Sequence, residues 1–237
     1  MSMIIVWGVV GIVVGWLAHV LAGYLPRWTG HVKSPARERV ALASPAVVRL
    51  ATLSRARQNT RQTVFLRALA AELGSALFLA ALWGVYGASQ EFWALSLSYV
   101  YLLLVALVDL QYRLVLNVMI YPAILAALGG HLAAADQPLS HVLVGGGLAF
   151  SIFFLTAWLK PGQLGLGDVK LATLIGVTVG FPAILWALIL GTGAAGLVTV
   201  WLLAGKGASL KTKLPYAPFL CLGAMGALLY TPVFMLG

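Results

Sequence analysis

The sequence predicts an all-α polytopic membrane protein with about eight transmembrane helices, both termini outside and a basic cytoplasmic loop after the first helix. Hydrophobic residues make up 62% of the chain, charged residues make up 9%, and the mean hydropathy is +0.99. This composition excludes a soluble domain with one buried core. The predicted organisation is a first transmembrane helix at residues 1–25, a basic cytoplasmic loop at 26–67 and a seven-helix membrane core at 68–237.

Eight apolar segments follow one another between charged or turn-forming residues. A spanning helix needs roughly 20 residues, and most of the segments reach or approach that length. The sixth, with 11 residues, covers only about 16 Å of a hydrocarbon core about 30 Å thick. It therefore predicts a helix that begins or ends within the membrane. The predicted spans are residues 3–25, 68–87, 92–109, 114–133, 139–159, 169–179, 183–204 and 214–236.

The basic residues fix the predicted orientation. Nine of the fifteen lysines and arginines lie in the loop at 26–67, and the other six lie in loops or at span ends that the eight-span arrangement places on the same side. Cytoplasmic loops carry an excess of lysine and arginine, so this side is predicted to be the cytoplasm. The net charge of +9 then suits an anionic inner leaflet and not nucleic acid.

The basic loop itself predicts two short helices. Ser34-Pro35 and Ser44-Pro45 each combine an N-cap residue with a proline in the first helical turn. The second of these helices is basic and partly amphipathic, which suits contact with the inner leaflet of the lipid bilayer. A solvated linker that only fixes topology explains the same residues equally well.

Two aspartates lie where apolar segments meet the predicted cytoplasmic face. Asp109 ends the third segment, and Asp168 opens the sixth between two glycines and a lysine. An ionised side chain at membrane depth costs roughly 2.5 to 3.5 kcal/mol, so such residues usually face a cavity and serve a function. Gly165 and Gly167 would let the backbone leave helical geometry and approach a bound chain closely. Lys170 can act on the Asp168 carboxylate only if its ammonium bends back toward it.

A pair of carboxylates is suited to acid–base catalysis. Two such groups placed close together share a proton, so one can activate water while the other protonates a carbonyl. The single cysteine, Cys221, has no histidine near it in sequence, which argues against a thiol nucleophile. No metal site and no cofactor are predicted, because the aspartates have no histidine partners on their own face.

The motif Gly165-Leu166-Gly167-Asp168-Val169-Lys170 resembles the signature of the type IV prepilin peptidase family, membrane aspartic proteases of the GxGD class. The segment from Ala106 to Asp109, followed by Arg113 and Asn117, is similar to the first aspartate segment of that family. The sequence from Leu214 to Phe219 resembles the start of its last helix. The resemblance covers most of residues 93–230.

The resemblance implies removal of the basic leader peptide from type IV prepilin or pseudopilin precursors at the cytoplasmic side of the bacterial inner membrane. Asp109 and Asp168 would be the catalytic pair, and Gly165, Gly167, Lys170 and Asn117 would bind substrate or shape the site. The sequence departs from the family at Leu116, where a proline is usual. It also lacks the paired loop cysteines of many bacterial members, which argues against N-methylation.

Two other classes of protein are compatible with intramembrane aspartates. A proton-coupled transporter would use them too, but it would more often have duplicated halves with broken helices in matching positions, and no internal repeat is visible. A non-catalytic membrane subunit of a pilus or secretion apparatus could keep the fold without the reaction. The presence of both Asp109 and Asp168 favours the endopeptidase.

Overall fold

The computed structural model describes residues 2–28, 68–134, 138–160, 164–206 and 216–235, and within these residues the chain is helical without a β-strand. The prediction of an all-helical membrane protein is confirmed. Eight helices are described: α1 (Ser2–Trp28), α2 (Ala68–Tyr86), α3 (Gln90–Tyr112), α4 (Asn117–Ala134), α5 (Leu139–Leu159), α6 (Leu166–Val179), α7 (Ala183–Lys206) and α8 (Ala217–Met235).

Five of these helices, α1, α2, α3, α5 and α7, are long and apolar enough to cross a bilayer, while α4 and α8 include shorter apolar stretches. The count of eight spans and the orientation of the chain therefore stay predictions. Most of the basic loop, including its two predicted short helices, lies outside the described residues. So does the Leu214-Pro215 part of the segment that precedes α8.

The helix ends around the predicted site differ from the sequence prediction by a few residues. Helix α3 continues through Tyr112, so Asp109 lies in its last turn and does not end it. The helix stops at Arg113, whose φ of 54° is left-handed and whose N–H donates to the Asp109 carbonyl at 2.8 Å. This conformation resembles the αL ending of many helices, and α4 begins only at Asn117.

The chain forms two compact units, Met1–Ser96 and Leu97–Gly237. In the first unit, α1 and α2 lie so close together that a Cβ on Gly11 would come within 2.5 Å of the Ser75 carbonyl oxygen. Aromatic rings gather around Trp7, whose ring centroid lies 4.6 Å from that of Phe92 and 5.3 Å from that of Trp83. The small residues and the aromatic cluster together hold these segments to one another.

In the second unit, α6 is the central helix and packs against α4, α5, α7 and α8. Most of its residues from Val169 to Val179 are buried. Its contact with α5 is close enough that a Cβ on Gly145 would meet the Gly176 carbonyl oxygen at 2.5 Å. Small residues allow such approach between membrane helices, where lipid supplies no hydrophobic driving force. The short helix that carries Asp168 is therefore held on several sides by protein.

Candidate active site

Asp168 lies in the first turn of α6, and the backbone just before the helix fixes its carboxylate. The N–H of Gly165 donates to Asp168 Oδ2 at 3.3 Å, and the carbonyl of Gly165 accepts from the Asp168 N–H at 3.0 Å. Since glycine has no side chain, this is one half of a capping box. The free N–H groups of the first turn favour a negative charge at this position.

Asp109 is the more enclosed of the two acids, with 5% of its surface exposed. Its carboxylate accepts a hydrogen bond from the backbone N–H of Ala217, the first residue of α8, and lies within electrostatic reach of Arg113. Its Oδ2 atom is buried and has no hydrogen-bond partner among the residues that the structure describes. Buried polar atoms are normally satisfied, so a lone carboxylate oxygen is a candidate contact for water or substrate.

The fold brings the two predicted carboxylates near each other. Asp109 and Asp168 lie within electrostatic reach of each other, although 58 positions separate them in the sequence. Cys221, which is fully buried in α8, lies within electrostatic reach of both. Helices α3, α6 and α8 therefore contribute to one site. Two carboxyl groups that act on each other electrostatically are suited to general acid–base chemistry on a polar bond.

The glycines of the motif serve contacts within the chain. Gly165 has an ordinary extended backbone with φ of −78° and ψ of 144°, so left-handed freedom is not what this position requires. A Cβ on Gly167 would lie 2.9 Å from the Cβ of Val115, in the segment between α3 and α4. Gly167 therefore allows the segment after Asp109 to pack directly on the turn that carries Asp168.

Lys170 and Asn117, both predicted as site-shaping residues, contact each other. The Lys170 Nζ donates to Asn117 Oδ1 at 2.8 Å and lies 5.1 Å from the centre of the Tyr121 ring. The ammonium thus points to the start of α4 and does not bend back to Asp168. The geometric reason is that Asn117 and Tyr121 are one helical turn apart, so α4 presents an acceptor and a ring to the same group.

Sequence reasoning assigned no role to three residues that complete this arrangement: Ala217, Val115 and Tyr121. Ala217 could have been identified from the sequence, because the segment from Leu214 to Phe219 resembles the start of a family helix. Val115 and Tyr121 are ordinary apolar and aromatic residues whose importance depends on tertiary contact alone. Thiol chemistry at Cys221 was not expected from its surroundings in sequence, and its position within electrostatic reach of both carboxylates was not foreseen.

The next question is whether side chains near this site could bind a metal ion. Within the described ranges, no group of three or more histidine, cysteine, aspartate or glutamate side chains could hold a metal ion. The chemistry that the described site offers comes from the two carboxylates and the backbone N–H groups that bind them.

The structure is thus that of an all-helical membrane protein in which two aspartates from different helices lie at one site. The sequence model of the type IV leader peptidase family matches residues 96–201, a range that contains both aspartates. The resemblance noted from the glycine–aspartate motif is confirmed: the segment that carries both aspartates matches the type IV leader peptidase family.

Two curated relatives carry the name prepilin leader peptidase/N-methyltransferase. The protein of Pseudomonas putida is 27% identical over 176 residues, which cover 72% of this chain and 61% of the relative. The protein of Xanthomonas campestris pv. campestris is 29% identical over 158 residues, which cover 63% of this chain and 54% of the relative. The chain thus matches less than two thirds of the length of either relative. No solved structure matches it.

Proposed function

We propose that this protein is a membrane aspartic endopeptidase that removes the basic leader peptide of type IV prepilin-like or pseudopilin precursors. The observation that carries the proposal is the pairing of Asp109 with Asp168 at a site where one carboxylate oxygen is buried and unpartnered among the described residues. The match of residues 96–201 to the type IV leader peptidase family and the names of the two relatives support the same activity.

The reaction requires one carboxylate and one carboxylic acid. The ionised member takes a proton from water, and the water oxygen attacks the carbonyl carbon of the scissile peptide bond. The protonated member donates to the carbonyl oxygen, so the tetrahedral intermediate carries no full negative charge. The C–N bond then breaks as the proton taken from water passes to the leaving nitrogen. One hydroxyl of the intermediate returns its proton to the carboxylate that donated it, so the pair regains its starting protonation. Two carboxylates within electrostatic reach favour the singly protonated state of the pair that this sequence needs.

The site is proposed to face the cytoplasm from a bacterial inner membrane. All lysines and arginines fall on one side in the eight-span arrangement, which is the cytoplasmic side by the positive-inside rule. Asp109 lies near the end of α3 that leads to Arg113, and Asp168 lies near the end of α6 that follows Lys160. A leader with several basic residues would be presented at this same face, just ahead of its hydrophobic helix.

The proposal covers peptide cleavage and not methyl transfer. The relatives' names include an N-methyltransferase, but the chain has one cysteine and cannot form the paired cysteines of the cytoplasmic loop found in many bacterial members. Cleavage of the leader without methylation of the new terminus is the expected activity.

The proposal can be tested with purified protein in liposomes and a pilin-like precursor. Mass spectrometry of the products should locate one cut between the basic leader and the hydrophobic segment. Asp168→Asn should abolish that product, whereas Glu91→Gln, a matched change of carboxylate to amide outside the site, should not. Cleavage by Asp168→Asn at the wild-type rate would refute the proposed role of this residue.

A further inference from the structure

Two contacts join the segment after Asp109 to the helical turn that carries Asp168. The first is apolar: Val115 packs so closely on Gly167 that a Cβ on this glycine would lie 2.9 Å from the Val115 Cβ. The second is polar: the ammonium of Lys170 donates to Asn117 Oδ1 at 2.8 Å. The first contact lies one residue before Asp168 and the second lies two residues after it, so together they bracket the carboxylate.

The surroundings of the Lys170 ammonium indicate a local anchoring role. It lies over the Tyr121 ring at 5.1 Å, a favourable position for a cation. Within the described part of the chain, the ammonium forms no ion pair with either aspartate. Its hydrogen-bond acceptor is Asn117, in α4. Asn117 is the first residue of α4, so this contact fixes the point where the chain re-enters a helix after α3.

We propose that Lys170 is a positioning residue whose bond to Asn117 holds the start of α4 on the first turn of α6 and thereby sets the separation of the two carboxylates. The inference rests on the proposed peptidase function. Residues 113–116 are the whole connection between α3 and α4. Holding Asn117 in place therefore constrains the last turn of α3, in which Asp109 lies. Catalytic groups that are displaced by about 1 Å can lose roughly 100-fold in rate.

A different role for Lys170 would have different consequences. If its ammonium bound the substrate directly, its loss would raise KM, and the identity of residue 117 would matter little. If its positive charge acted on the carboxylates, any neutral replacement would shift the pH profile whether or not Asn117 was present. In the positioning role, the two residues act as one unit and the principal effect is on kcat.

The test is a double-mutant cycle read in kcat and KM with a pilin-like precursor. Lys170→Met and Asn117→Leu should each lower kcat by about tenfold or more. The double variant should be no slower than the slower single variant, because the second change removes a contact already lost. KM should stay within about twofold.

Asn117→Asp, which retains an acceptor for the ammonium, should be faster than Asn117→Leu. Lys160→Met serves as the matched control, since Lys160 is exposed and lies outside these contacts.

Additive losses in kcat, or a rise in KM confined to Lys170→Met, would overturn the positioning role. Failure of the proposed function has a separate signature, namely no cleavage by the wild-type protein or full cleavage after loss of both aspartates. Thermal unfolding of the wild type, the two single variants Lys170→Met and Asn117→Leu, and their double variant gives a readout that does not depend on activity. Non-additive changes in Tm support the Lys170–Asn117 contact, and additive changes contradict it.

Discussion

The backbone N–H of Ala217, the first residue of α8, donates a hydrogen bond to the carboxylate of Asp109 in the last turn of α3. The start of one helix therefore meets the end of another at the candidate site. A helix N-terminus carries a partial positive charge that favours a nearby carboxylate. Because the donor is a main-chain group, every residue type except proline can supply it at position 217.

Replacing Ala217 by proline removes this donor with little cost to the helix, because proline is well tolerated at the first helical position. A hydrogen bond to a charged group contributes about 1.5 to 3 kcal/mol, so kcat should fall by roughly ten- to a hundredfold. Ala217→Gly is the matched control, since it keeps the N–H and adds no bulk at this buried position. Equal losses in the two variants would show that the N–H itself is unimportant.

The contact between Gly167 and Val115 predicts a loss that a second substitution repairs. Gly167→Ala should reduce cleavage strongly, because its new methyl group would lie 2.9 Å from the Val115 Cβ and push the two segments apart. Gly167→Ala combined with Val115→Ala should recover part of the rate. Gly147→Ala, at an exposed helical position with open space for a Cβ, should behave like the wild type. A double variant as slow as Gly167→Ala would count against this packing account.

The orientation of the chain can be measured with single cysteines introduced at exposed positions between helices. Cys221, the only native cysteine, is buried and should give little background. In intact cells, a membrane-impermeant maleimide should label Ala88→Cys and Pro138→Cys. It should reach Leu114→Cys and Lys160→Cys only after the membrane is opened. The reverse pattern would place the carboxylate pair on the outer face.

Chelation of metal ions should leave cleavage unchanged. The two carboxylates can activate water and protonate the carbonyl by themselves, and the described residues contain no cluster of metal ligands. The measurement compares rates before and after prolonged treatment with EDTA and after addition of zinc. A rate that is lost on chelation and restored by zinc would contradict the proposed mechanism.

The sequence predicted the helices well because the bilayer imposes a minimum apolar length and turn residues interrupt it. Helix α5 was predicted with its observed bounds, Leu139–Leu159, and the break between α6 and α7 was expected at residues 180–182. Ends near the site were less accurate. Arg113 adopts a left-handed backbone that arginine seldom prefers, so its role in ending α3 could not be deduced from its residue type.

The pairing of Asp109 with Asp168 could be predicted because ionisable residues at membrane depth are rare and seek partners. The contacts around the pair could not be predicted from the sequence. Gly167 was expected to make room for a bound chain, whereas it makes room for Val115. Lys170 could have turned to Asp168 but reaches Asn117 and Tyr121 instead. These choices depend on the register between helices, which hydropathy does not encode.

The central claim is that Asp109 and Asp168 act as one unit in cleaving a pilin-like precursor. Its most direct test is the single-turnover cleavage rate of Asp109→Asn, Asp168→Asn and the double variant, all reconstituted in liposomes and checked for membrane insertion. Residues that act as a unit lose their effect together. Each single variant should therefore be as inactive as the double variant. Substantial cleavage by either single variant would contradict the claim.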